Sequence, residues 1–271
     1  MARHARGFRA AIQILGADFA MGFGGNPQVE EISGDYNRLF PDAGGSWPSM
    51  RIGLVASVDQ VRKITIPVIF GTCRVNVAEG LGFDSHEEFA RWCRGQPDIA
   101  TKAAIAFADV FDLAYGLDDL DALPEAKESW VLALSQLEMT TSTLLVSFEL
   151  SALTQSICMT AELSMKAALI QHGVSGKKLR KLGHENVKSA ALLASEKSHR
   201  DDALIATLIE KFPPYVDSRY KRENLTRLQM IVLAFASQFI AASTLRRLTT
   251  RDFAANIENE EAMGERARLY A

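Results

Sequence analysis

Apolar and polar positions along the chain fall into two regimes that meet near Phe83. Before that point Gly22, Gly24, Gly25, Pro27, Gly34, Pro41, Gly44, Gly45 and Pro48 break each period before it is established, which predicts irregular structure without long helices. Two runs inside this region, Ile52 to Val58 and Ile64 to Phe70, are rich in β-branched residues and flank a charged stretch. They predict a short hairpin, with helix as the alternative. Beyond Phe83 the spacing turns helical. Asp84 or Ser85 can cap a helix through Glu87, Glu88, Phe89 and Trp92, and a second helix covers about Asp98 to Tyr115. Gly116 to Pro124 then reads as an acidic break. From Glu125 to Gln171 no Gly or Pro occurs in 47 residues. That is too long for one ordinary helix of about 8 to 20 residues, so two helices or one bent helix are expected.

Three later helices are sharper. One runs from about Glu185 to Lys197, with Val187, Ala190, Ala191 and Ala194 on one face. Asp201 or Asp202 caps the next, whose Leu204, Ile205, Leu208, Ile209 and Phe212 form an apolar stripe stopped by Pro213 and Pro214. Asn224 can cap the last long helix, which reaches about Leu248 before a polar tail. The windows Leu144 to Ile157 and Leu228 to Ala242 are the most apolar. Polar residues interrupt both, short of the roughly 18 apolar residues of a membrane span, so they read as buried helices and no membrane association is expected. Leu228 to Leu245 is apolar nearly all round, which suits either the centre of a bundle or the interface of a homodimer.

Composition narrows the classes. The 271 residues carry 30 Lys and Arg against 33 Asp and Glu, a net charge of -3, which excludes a chain basic throughout and leaves nucleic-acid contact to a local patch. Cys73, Cys93 and Cys158 are odd in number and lack C-x-x-C spacing, so no disulfide framework or zinc knuckle is indicated. Arg3, Arg6 and Arg9 precede a mildly apolar stretch, but Gln13 and Asp18 interrupt it, and the chain is expected to be cytoplasmic rather than secreted. Glu196 and His199 make one Glu-x-x-His pair without the second that a di-iron bundle needs. Asp118, Asp119 and Asp121 lack the alternating oxygen ligands of a calcium loop. With no G-x-S-x-G, Walker A or G-x-G-x-x-G sequence, neither a metal nor a cofactor is expected.

The segment Ala161 to Gly173, followed by Leu182 to Leu193 and by Phe212 to Lys221, is the most informative. Glu162 and Lys166 are spaced i, i+4, the favourable order for a surface pair contributing about 0.2 to 0.5 kcal/mol. Gly173 is placed to end that helix. His184 stands at the start of the next, where its ring can exchange hydrogen bonds with the backbone of the turn. These residues resemble the HEPN superfamily of nucleotide-binding helical domains: an Ala-Glu-x3-Lys-Ala helix at Ala161, Glu162, Lys166 and Ala167, a terminal Gly173, a Gly-His-acid run at Gly183, His184 and Glu185, and an Arg-Tyr at Arg219 and Tyr220. The resemblance covers about Glu125 to Leu248. It implies a bundle of four or five helices, often dimeric, that binds RNA or nucleotides or acts as a metal-independent ribonuclease, frequently paired with a nucleotidyltransferase or an antitoxin in toxin and defence systems.

Nuclease members of that superfamily carry an Arg and, after four to six residues, a His that assists attack of a ribose 2'-hydroxyl on the adjacent phosphate. No histidine here has an arginine at that spacing. Arg180 and His184 come nearest, with three residues between them, and are the catalytic candidates if there is catalysis. Lys177, Lys178, Arg180 and Lys181 cluster before the helix that His184 opens, and Arg219, Lys221 and Arg222 flank Tyr220. Cations beside a helix N-terminus suit a phosphate, and the tyrosine suits a stacked base; the alternative is a solvated loop.

The sequence therefore predicts a mainly α protein in three parts: residues 1–120, irregular with at most a small β element; residues 125–250, a HEPN-like bundle; and a polar tail at residues 251–271. The leading expectation is a binding module for RNA, a nucleotide or a partner protein. The alternatives are a metal-independent ribonuclease and a helical homodimer that binds no nucleic acid.

Overall fold

The computed structural model describes residues 5–20, 26–39, 50–67, 76–147, 150, 153–214, 216, 224–259 and 266–270. Among the described residues the protein is mainly α with one two-stranded antiparallel sheet. It divides into two compact units, residues 1–50 with 67–75, and residues 51–66 with 76–271.

In the first unit, α1 (Ala5–Leu15) and α2 (Gln28–Leu39) pack on one another, and a 3-10 turn at Gly16–Asp18 follows α1. Helices of 11 and 12 residues correct the expectation of irregular structure here. Pro27 stands just before α2 and Gly34 lies within it without breaking it; Gly22, Gly24, Gly25, Pro41, Gly44, Gly45 and Pro48 lie outside the described residues. The Asn26 side chain accepts from the Gln28 N–H at 3.0 Å and opens α2.

In the second unit, β1 (Met50–Ser57) and β2 (Gln60–Pro67) form the predicted hairpin around Val58 and Asp59. The second strand starts at Gln60 because the charged stretch pairs as strand; residues 68–70 lie outside the described residues. Two buried polar contacts from one side chain fix the hairpin. Gln238 accepts from the Leu54 N–H at 2.8 Å and donates to the Leu54 carbonyl at 3.2 Å, completing a strand edge with an amide. Gly53 permits this approach: a Cβ there would lie 2.3 Å from Gln238 Oε1 and 2.2 Å from Val110 Cγ2.

The helices that follow are α3 (Val77–Gly80), α4 (His86–Trp92), α5 (Pro97–Asp119), α6 (Pro124–Val146), α7 (Leu153–Gln171), α8 (Gly176–Leu182), α9 (Asn186–Glu196), α10 (Asp202–Ile209), α11 (Arg227–Arg246) and α12 (Phe253–Glu258). α6 packs on α7, α11 packs on both α7 and α5, α9 packs on α7, and α10 packs on α9. The long Gly-free and Pro-free stretch is thus two helices, as its length requires. Ser85 caps α4, accepting from the Glu88 N–H at 3.2 Å. α11 is capped by Thr226 in a capping box with Gln229, not by Asn224.

α11 is long and apolar enough by composition to cross a membrane, and 83% of its most apolar window is buried within the protein. The bundle itself covers the surface that raised the homodimer expectation. α5 also belongs to this bundle, so the helical unit begins well before residue 125. It runs through Gly116 and Leu117 to Asp119, absorbing half of the expected acidic break, because Gly116 lets Leu245 approach: a Cβ there would sit 3.2 Å from that side chain.

The expected polar tail is not solvated along its length. α12 packs on α5, and a 3-10 turn at Arg266–Tyr270 buries Arg266, Leu269 and Tyr270. The sequence concealed this because charges do the fastening. Arg246, wholly buried near the end of α11, donates to Asp109 and, at 2.7 Å, to Asp112 of α5. Asp112 also accepts the N–H groups of Phe253 and Ala254 at 2.8 and 3.2 Å, capping α12. Arg266 donates twice to Asp109, at 2.9 and 3.1 Å, and lies over the Phe239 ring. Arg200 holds Asp252 with two bonds and pairs with Glu258. Burial pushes the Asp112 carboxyl above its ordinary range, while the Asp109 charge and other carboxylates keep Arg246 raised against its own burial.

Removing one member of such a cluster leaves a buried charge uncompensated. Arg246→Met is therefore expected to lower the unfolding free energy by about 3 to 5 kcal/mol. Arg251→Met, which breaks an exposed pair with Asp119, should cost under about 1 kcal/mol. Urea denaturation of the two variants measures the contrast, and equal midpoints would refute it.

Burial acts to raise the Asp252 carboxyl, but its bonds from Arg200 and the Arg246 charge outweigh that and hold it below the ordinary value. A depressed folded-state carboxylate contributes stability at pH values above its unfolded value, near 3.9, and loses it as pH falls. Asp112 acts in the opposite sense, its contribution shrinking as pH rises from that value. Asp252→Asn should accordingly reduce the steepness of the stability loss below about pH 4, as read by thermal midpoints across an acid series.

Candidate functional site

Of the residues that carry the sequence resemblance, Glu162, Lys166, Gly183 and His184 meet at α7. Glu162 is buried on that helix, its side chain 4% exposed, which corrects the expectation of a surface pair. Lys166, one turn later, donates to Glu162 Oε1 at 2.6 Å and to the Gly183 carbonyl at 2.6 Å. The second bond ties the end of α8 to α7. Gly183 ends α8 with φ +57° and ψ −129°, a backbone conformation that side chains with a Cβ avoid, and this turns the chain sharply enough to bring His184 back over Glu162.

His184 Nδ1 lies 3.1 and 3.2 Å from the two carboxylate oxygens of Glu162. An ionised carboxylate only accepts, so Nδ1 carries the proton and donates. The imidazole partner is thus a buried acid from another helix, where the sequence suggested the backbone of its own turn. About half of the His184 side chain remains exposed, so the ring is oriented from beneath and presented outward. Carboxylate, lysine, glycine carbonyl and histidine form one hydrogen-bonded joint between α7, α8 and the start of α9.

Lys177, Lys178, Arg180 and Lys181 are all exposed on the seven residues of α8. Lys178 is bound to Glu196 at 2.6 Å, which fastens α8 to the far end of α9. Lys177, Arg180 and Lys181 have no carboxylate partner among the described residues. Glu185 bonds Lys188 at 2.6 Å instead of closing the helix start, and α9 begins without a side-chain cap. Arg219, Tyr220, Lys221 and Arg222 lie outside the described residues. Among the described residues, no group of three His, Cys, Asp or Glu side chains could hold a metal.

A groove of about 460 Å³ opens at the start of α9, between His184, Glu185, Asn186 and Val187 on one side and Ile209, Phe212, Pro213 and Pro214 on the other. Sequence reasoning read the two prolines only as a stop to α10. Their second effect is to turn the chain so that its apolar side chains face the α9 start. Asn186 was also missed, since an asparagine one residue past a Gly-His-acid run carries no distinctive signal.

Truncation separates the roles of these residues. Glu162→Ala leaves Lys166 and His184 without their shared acceptor and should destabilise by about 2 kcal/mol. His184→Ala removes the partly exposed bond to Glu162 and should cost about 1 kcal/mol. Lys181→Ala should leave the midpoint unchanged. Chemical denaturation of the three tests this order, and a His184 variant as stable as wild type would remove the joint's structural role.

Comparison with protein-family models, with curated proteins and with solved structures finds no match to this chain.

Proposed function

We propose that the second unit is a HEPN-like helical module that binds RNA or a nucleotide through the cationic face of α8 and the adjoining start of α9. One observation carries this reading. Three exposed cations without a carboxylate partner among the described residues, Lys177, Arg180 and Lys181, sit on a short helix that leads directly into the uncapped N-terminus of α9. Backbone N–H groups at such a terminus lack helical acceptors, and the helix dipole adds to the side-chain charge, so a phosphate gains from both. The joint below supplies rigidity. Lys166 and Glu196 pin α8 at its two sides, so its cations are held in place before a ligand arrives.

A second reading, metal-independent ribonuclease, is favoured by the Glu162–His184 pair. A buried carboxylate that fixes the tautomer of a half-exposed imidazole is the arrangement a general base requires. Arg180 supplies a cation near it in sequence, although the Arg-to-His spacing is shorter than the nuclease pattern.

Single-stranded RNA should bind at low salt and weaken steeply between about 50 and 200 mM, because each neutralised phosphate releases condensed counterions. Lys177→Ala and Lys181→Ala should each lower the slope of log affinity against log salt by roughly one while leaving the thermal midpoint in place. Fluorescence anisotropy measures the slope. Absence of binding at low salt would overturn the reading, and RNA cleavage in EDTA that disappears in His184→Ala would put the ribonuclease in its place.

A further inference from the structure

The groove at the start of α9 carries a chemical demand of its own. Asn186 is 8% exposed, and its Oδ1 is a buried acceptor with no hydrogen-bond partner among the described residues. Such an atom weakens the fold unless something donates to it, and a functional ligand is one of the few explanations for its persistence. The residue lines the groove, so the missing donor can come from there. Asn186 and Val187 also open α9, whose first-turn N–H groups have no side-chain cap. An acceptor and backbone donors therefore stand side by side at one end of the cavity.

The opposite wall is apolar and in part aromatic: Ile209, Phe212, Pro213 and Pro214. Its volume of about 460 Å³ lies within the usual range for small-molecule sites, roughly 300 to 1,000 Å³. A flat ring with apolar faces and an edge that both donates and accepts satisfies the two walls together. A sugar carries hydroxyls around its whole ring, which the apolar wall leaves unsatisfied, and aliphatic chains lack the polar edge. The cationic helix α8 ends at Leu182, one residue before the turn that carries His184 into the groove wall, so a phosphate on α8 and a ring in the groove can belong to one ligand.

We infer that this groove is a nucleobase subsite in which an N–H donor of the base bonds Asn186 Oδ1 and the ring packs against Phe212 and the paired prolines. The inference rests on the proposed phosphate site for its orientation, and it adds what that site lacks, a means of telling a nucleotide from a bare phosphate.

Adenine offers a decisive probe, because its exocyclic amino group supplies its N–H donors once the ring is joined to ribose; N6,N6-dimethyladenine has none. Calorimetric titration at low salt would compare adenosine 5'-monophosphate, its N6,N6-dimethyl analogue and ribose 5-phosphate. The first should bind at least roughly fivefold more tightly than either of the others, the ratio expected for one satisfied hydrogen bond. Asn186→Ala should abolish the difference between the two adenine nucleotides, Phe212→Ala should reduce the advantage of both over ribose 5-phosphate, and Lys177→Ala with Lys181→Ala should weaken all three alike.

Equal binding of adenosine monophosphate and ribose 5-phosphate to the wild type would overturn the base subsite and leave the phosphate site standing. If none of the three binds, the phosphate site falls. Adenosine without phosphate then decides the groove: binding lost in Asn186→Ala supports it, and no binding overturns it. The wild-type comparison needs no variant to fold.

Discussion

Two arginines and two aspartates, with no route to bulk water for most of their atoms, hold the second unit together: Arg246 and Arg266 against Asp109 and Asp112. Taking four charges out of water is costly, and their mutual attraction offsets the cost only where the geometry is good; Arg246 bonds Asp112 and Asp109 through Nε and Nη2, while its Nη1 is buried without a hydrogen-bond partner among the described residues. The cluster therefore does less to raise stability than to select one arrangement. An aliphatic residue at position 246 would accept many neighbours; a guanidinium between two carboxylates of α5 accepts one register of α11 on α5. Asp112 extends the selection by capping α12, and Asp109 extends it by taking Arg266.

This constraint reaches the candidate site through packing. α11 is fixed against α5 by the charges and presses its other face on α7. α7 then presents Glu162 and Lys166 at a defined depth, and α8 hangs from Lys166 through the Gly183 carbonyl. A short helix of seven residues would fray in isolation, since nucleating a helical turn is costly. Here its two ends are tied to α7 and α9, so an element with almost no apolar face of its own keeps its shape.

Much of the secondary structure was legible because the patterns are local. The hairpin followed from β-branched runs, the two central helices from a stretch without Gly or Pro, and the end of α10 from Pro213 and Pro214. What failed was tertiary. The last twenty residues look polar in one dimension, yet Arg266 is buried because Asp109, 157 residues away, meets it. Likewise Glu162 and Lys166 have the spacing of a surface pair, and only the return of the chain at Gly183 places them beneath His184. The carriers of the candidate site were visible as residues, while its depth and its groove depend on which helix lies over which. Nothing in the sequence distinguishes Asn186 from an ordinary exposed asparagine.

The same internal pairing bears on how a chain with a net charge of -3 can present a cationic face. Net charge counts every arginine equally, but Arg246 and Arg266 are buried against aspartates, Arg247 is held by Asp202 at 2.9 Å, and Arg200 is bound to Asp252. Their fields are largely cancelled within the fold. The cations whose charge reaches solvent beside the α9 terminus are Lys177, Arg180 and Lys181, unmatched by carboxylates among the described residues. Local potential depends on the pairs that are left incomplete rather than on the sum. An acidic protein can thus present a small cationic patch, and under the proposed function the groove beside it would add a second condition for binding.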